Sequence, residues 1–109
     1  MKNKNSNNQV VLPKDQIDAV ISLYSNGHIQ EAIAKIQTLN QQYPNVPVLF
    51  NILGACYKSL GQLENASKMF KNAFTLQPKY AEAHFNHGVV LRAMGELVHA
   101  SESYKNAIV

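Results

Sequence analysis

The sequence predicts an all-α fold, a solenoid of about six helices stacked as antiparallel pairs. Two observations carry this. Shifting the chain by 34 residues aligns it with itself three times, from Pro13, Pro47 and Ala81, and a period of about 20 to 50 residues marks stacked supersecondary units. Apolar residues within each unit recur at spacings of three and four, and no useful stretch alternates at period two.

Each element follows from the punctuation. Residues 1–12, beginning "MKNKNSNNQ", are polar and Asn-rich and are expected to be a disordered leader, since they hold little apolar surface to offset the entropy of ordering. The first unit, 13–46, is expected to hold helices at 14–26 and 29–42, the second, 47–80, helices at 47–60 and 63–76, and the third, 81–109, helices at 81–94 and 97–108. Gly27, Gly61 and Gly95 end the first helix of each pair, where a left-handed cap penalises a Cβ. Pro44 and Pro78 separate one unit from the next.

The second helix of each pair carries an alanine column, Ala32, Ala66 and Ala100, where two helices approach too closely for a larger side chain. A bulky column, Ile36, Phe70 and Tyr104, follows on the same face, then Leu39, Ala73 and Ala107. "ASKMFKNAF" and "ASESYKNAI" are therefore the same helix in successive units.

Composition excludes several classes. A chain of 109 residues is one domain at most, with no room for a separate catalytic domain. Of its ten Lys and Arg residues, Lys2 and Lys4 lie in the leader, leaving eight against seven acidic residues, a net of +1. That field is too weak to argue for nucleic acid. The single cysteine, Cys56 in "GACY", excludes an internal disulfide and reads as a small buried hydrophobe. No run reaches the roughly 18 apolar residues of a membrane span and the leader lacks the apolar stretch of a secretory signal, so no membrane partner and a cytoplasmic location are expected.

The second unit resembles a tetratricopeptide repeat almost throughout, in Phe50, Leu53, Gly54, Tyr57, Gly61, Ala66, Phe70, Ala73 and Pro78. The third follows with Gly88, Leu91, Gly95, Ala100, Tyr104 and Ala107, and the resemblance covers residues 13–109. It implies a right-handed superhelix of three units, the last incomplete, with the first helix of each unit on the concave wall. The first unit departs from the pattern at Val20, where the others have Gly54 and Gly88, so its helices are expected to pack less closely. His87 stands where the family has an aliphatic residue, which predicts local polarity in the third unit's core.

Carried over onto this sequence, the resemblance implies a wall of Lys14, Ile17, Ile21, Tyr24 and Ser25, then Val48, Asn51, Ala55, Lys58 and Ser59, then Glu82, Phe85, Val89, Arg92 and Ala93. Such a wall is apolar with a cationic edge at Lys58 and Arg92, and suits a peptide with apolar anchors and an acidic group. The family members that grip a carboxylate tail use Lys and Asn where this chain has Ile17 and Ile21, so tail recognition of that kind is not expected. Asn86 resembles the asparagine that bonds peptide backbone in arrays of the O-linked N-acetylglucosamine transferase type, but Asp18 and Ile52 replace it in the other units.

No catalytic constellation is evident. His84 and His87 are three apart on one predicted helix, but His99 should face outward and no further ligand completes a metal set. There is no glycine-rich phosphate loop and no nucleophile elbow. No catalytic residue, metal or cofactor is expected in this chain. The expected function is a protein–protein interaction scaffold. The alternative is an N-terminal recruiting module of a longer, truncated bacterial enzyme, a glycosyltransferase, sulfotransferase, methyltransferase or oxygenase, since similar arrays precede such domains. Val98, Tyr104 and Ile108 would lack a covering neighbour, which predicts an exposed apolar edge prone to self-association.

Overall fold

The computed structural model describes residues 11–108; most of the expected leader lies outside the described residues. Six helices follow one another: α1 (Lys14–Ser25), α2 (Ile29–Gln42), α3 (Pro47–Ser59), α4 (Leu63–Leu76), α5 (Ala81–Ala93) and α6 (Leu97–Ile108). They pair α1 with α2, α3 with α4 and α5 with α6, and each pair stacks on the next in an elongated body 51 × 30 × 18 Å. No strand forms among the described residues.

The three turns within the pairs share one hydrogen-bonding scheme. Gly27, Gly61 and Gly95 take φ of 81°, 75° and 83°, a left-handed conformation natural to glycine. In the first turn the His28 N–H donates to the Leu23 carbonyl at 2.8 Å and the Gly27 N–H to the Tyr24 carbonyl at 3.1 Å, which satisfies carbonyls that the end of a helix leaves free. Gln62 and Glu96 repeat the longer bond to Tyr57 and Leu91. Between units, Asn45 adopts a positive φ after Pro44, a conformation that Asn tolerates better than most residues.

Close approach within the second and third pairs depends on the missing side chain at Gly54 and Gly88. A Cβ on Gly54 would lie 2.5 Å from the Phe70 ring, and one on Gly88 would lie 2.7 Å from the Tyr104 ring. In the first pair Val20 fills the corresponding place, fully buried in one cluster with Ile36. There α1 and α2 pack more loosely than α3 and α4.

The core is uneven along the stack. Leu12, Val20, Ile33, Ile36, Leu39, Leu49, Leu53 and Cys56 form the larger cluster, across the first two pairs. Leu12, the last residue of the expected leader, is thus buried. A smaller cluster of Ala66, Phe70 and Val90 joins the second pair to the third. The buried residues of the third pair include His84, His87 and Ser103, so polarity there is real.

Candidate functional site

Three successive first helices line a groove of about 360 Å³ on one side of the stack. From α1 come Ile21, Tyr24 and Ser25, from α3 Val48, Asn51, Ile52, Ala55 and Lys58, and from α5 Glu82 and Asn86; Phe70 of α4 and Tyr80, just ahead of α5, complete it. Helical spacing explains the selection, since 48, 51, 55 and 58 fall on one stripe of α3.

The groove floor is held by a polar contact between units. The Asn86 amide donates to the Asn51 side-chain carbonyl at 3.2 Å. Asn51 is buried, and this bond answers the cost of placing an amide there. Tyr80 stands beside it: burial and then the Glu82 charge raise the Tyr80 hydroxyl above its usual pKa, while the neighbouring Asn51 amide acts the other way. Tyr80 therefore stays a neutral phenol, able both to donate and to accept. Lys58 is exposed on the rim and forms no ion pair among the described residues, where Lys14–Asp18 and His28–Glu31 are the pairs present.

Of the residues expected on the wall, the groove gathers Ile21, Tyr24, Ser25, Val48, Asn51, Ala55, Lys58 and Glu82, and Asn86 with them. The others lie elsewhere. Lys14 is exposed and bonded to Asp18 at 2.8 Å. Ile17 packs, half-buried, against the larger core cluster. Phe85, at 52% exposure, belongs to a separate cleft with Glu82 and Tyr104. Val89 is half-buried and Arg92 exposed on α5, and neither lines the groove. Ile52, Phe70 and Tyr80 line the groove without having been expected on its wall; for Tyr80 its place two residues after Pro78, ahead of a helix, was the available signal.

The histidines are used structurally. His84 stacks on Phe74, ring centroids 4.1 Å apart, and its Nε2 donates to the Pro78 carbonyl at 2.8 Å. That bond and the stack fix the ring's orientation, with Nδ1 buried and without a partner. His87 spans three helices, with Nε2 2.9 Å from Ser67 Oγ of α4 and Nδ1 3.1 Å from Ser103 Oγ of α6. Burial lowers its pKa to about 4, helped by the Lys71 charge and by His84 and His99. Both of its nitrogens are engaged, and among the described residues no three His, Cys, Asp or Glu side chains group as a metal site. His99 is exposed. Among those residues, no helix is long and apolar enough to cross a membrane.

Known proteins share this architecture. The family model for the TPR repeat matches residues 54–95. Over 67 residues the chain is 31% identical to the human (Homo sapiens) aspartyl/asparaginyl beta-hydroxylase, a match covering 62% of this chain and 9% of that protein. The mouse (Mus musculus) enzyme is 30% identical over the same length, and again the match spans only 9% of it. Among solved structures, MamA superposes with a TM-score of 0.81 at 22% identity, covering 87% of this chain and 56% of that one. The first TPR of Spaghetti (RPAP3), solved bound to the HSP90 peptide SRMEEVD, also scores 0.81 at 22% identity, over 85% of this chain and 74% of that one. The Yersinia enterocolitica type III secretion translocator chaperone SycD gives 0.81 and 22%, over 86% and 65%. At that identity these structures speak for the fold, and they agree with the family match at its centre. With its 34-residue period, its turn glycines and its paired helices, the chain is an all-α, TPR-like solenoid, and the TPR-repeat model matches it at its centre.

Proposed function

We propose that this chain is a protein-interaction module that holds a peptide segment of a partner in the groove between α1, α3 and α5. The observation that carries the reading is the groove's composition: apolar walls from Ile21, Tyr24, Val48 and Ala55, amide and phenol groups on its floor, and one unpaired cation, Lys58, on its rim. Apolar side chains of a ligand would be desolvated against the walls, Asn86 and Tyr80 offer bonds to its backbone, and Lys58 favours an acidic group. A cytoplasmic location belongs to the same reading. Peptide capture by a similar fold in Spaghetti supports it.

The test is a titration of ¹⁵N-labelled protein with two leucine-containing heptapeptides, one acidic and one with lysines in place of the acids. The acidic peptide should move the amide signals of Ile21, Tyr24, Ala55, Lys58 and Asn86. Lys58→Glu should weaken it about tenfold, because reversing an exposed charge replaces an attraction worth up to about 1 kcal/mol by a similar repulsion. Arg92→Glu, away from the groove, should do less. Signals moving on the α2 or α4 outer faces instead, or indifference to Lys58→Glu, would defeat the reading.

A second reading draws on the hydroxylase likeness: the chain is a recruiting segment of a longer enzyme, of which the matched part is a small fraction. The open reading frame beyond Val109 decides it, since a catalytic domain encoded there would favour this reading and a stop codon would sink it.

A further inference from the structure

Among the described residues, the groove between α1, α3 and α5 is lined by two charged side chains of opposite sign, Lys58 and Glu82. The helix register sets how far apart they stand. The Asn86–Asn51 hydrogen bond puts residue 86 of α5 level with residue 51 of α3. Short connections reverse the chain twice between these helices, so the two run the same way. Lys58 lies seven residues beyond Asn51 and Glu82 four residues before Asn86, which at about 1.5 Å of rise per residue is about 16 Å along the helix axes. With a lateral step of about 8–10 Å between neighbouring helices, the two charges spring from backbone points roughly 18 Å apart.

The groove itself runs from one charge to the other. It takes Ile21, Tyr24 and Ser25 from the C-terminal half of α1, and Glu82 and Asn86 from the N-terminal half of α5, so it crosses the helices obliquely. Lys58 stands in the last turn of α3 and Glu82 in the first turn of α5, ends whose dipoles favour these signs. Neither has an ion-pair partner among the described residues. The Glu82 charge acts on the groove floor, since it helps to hold the Tyr80 phenol protonated. The Tyr80 ring and the Asn86 amide oxygen line the same end, and both suit a cation.

An extended peptide rises about 3.3 Å per residue and turns alternate side chains to one face. Charges four residues apart on it are then separated by roughly 13 Å and point the same way, with another side chain midway between them. The Lys58 and Glu82 side chains span the remaining distance. Resting on the peptide-binding reading above, we propose that the ligand is a bipolar segment: an acidic and a basic residue four apart with an apolar residue midway, the acid at Lys58 and the base at Glu82 beside Tyr80.

A titration of the ¹⁵N-labelled protein with three end-blocked heptapeptides tests this. They are Ser-Glu-Ser-Leu-Ser-Lys-Ser, an isomer with its glutamate and lysine adjacent, and a version with serine in place of lysine. The matched peptide should bind about fivefold more tightly than either, because it makes one more exposed charge pair. Lys58→Glu and Glu82→Lys should each weaken it about tenfold, each turning an attraction into a repulsion, while circular dichroism stays unchanged because both residues are exposed. The double variant K58E/E82K should return to within about twofold of the parent affinity, with the peptide reversed in the groove. A nitroxide at the glutamate end of the peptide reads that reversal. It should broaden the Tyr24 and Ser25 amide signals in the parent and those of Tyr80 and Asn86 in the double variant. Equal affinity for the three peptides, a double variant as weak as the singles, or broadening at the same end in both proteins overturns the proposal and leaves the groove as the peptide site. No movement of groove signals with any of the three peptides overturns the groove reading itself, and the proposal with it.

Discussion

Replacing Gly54 by alanine sets two known effects against each other, and the structure says which wins. Alanine inside a helix is favoured over glycine by about 1 kcal/mol. The added Cβ, however, would lie 2.5, 2.7 and 2.8 Å from three carbons of the Phe70 ring. Phe70 is fully buried and packed against Ala66 and Val90, so its ring must move by roughly 1 Å into a filled interior. Overpacking of that kind costs about 1–3 kcal/mol, and a displaced aromatic in a close-packed site belongs at the upper end. The net is a loss of about 1–2 kcal/mol, or a fall in Tm of roughly 5–15 °C for a chain of this size. Gly88→Ala is the matched control. Its Cβ would lie 2.7–3.1 Å from Tyr104, whose ring borders an open cleft and can swing aside. There the helix preference should nearly offset the contact, leaving stability within about 0.5 kcal/mol. Urea melts of both variants, and of Gly54→Ala in a Phe70→Leu background where the clash should relax, complete the experiment. Gly54→Ala as stable as the parent, or equal losses at both glycines, would refute the packing argument.

Two further predictions follow from buried groups. His87 is held neutral with a pKa of about 4 against an ordinary 6.5, chiefly because it is buried. The unfolded chain therefore takes up its proton first as pH falls, so the stability from this group is whole above pH 6.5 and is lost progressively toward pH 4. At about 1.4 kcal/mol for each tenfold change in proton affinity, the loss is at most about 3 kcal/mol; melts at pH 7.5, 5.5 and 4.5 should show it, and His87→Gln should flatten the slope. Cys56 is fully buried and its thiol is pushed up to about 11 by desolvation. It should resist thiol-specific reagents at pH 8 and react stoichiometrically in denaturant, whereas rapid labelling of the folded protein would contradict that burial.

The helices were legible because their ends are written in residues with few alternatives. Glycine at a left-handed turn and proline between units fixed all six, with α1, α3 and α5 each ending one residue earlier than expected, at the residue before the cap. The groove was legible only in its middle. A repeat column read along a sequence assumes that every unit has the same neighbours, but the described units differ in what packs against them, so equivalent residues part company. Ile17, Asn51 and Phe85 share a column, yet one packs in the core, one floors the groove and one borders the end cleft. Tyr80 escaped notice for the complementary reason: it sits between helices, where periodicity has nothing to say. The Lys14–Asp18 pair could have been read from their spacing of four, which on a helix brings the two side chains together.

The helices of this stack touch only helices one or two places along the chain. No contact needs distant parts of the sequence to find each other, so the loops closed during folding are short and the chain should fold in microseconds to milliseconds. A chain with only neighbour contacts can also begin folding at any unit and propagate from there. The larger apolar cluster joins the first two pairs and the smaller joins the second to the third, so both meet in the second pair, whose helices pack more closely than α1 and α2. Folding should therefore start in the second pair and travel outward, so that the loosely packed α1 is among the last helices to form and the first to open.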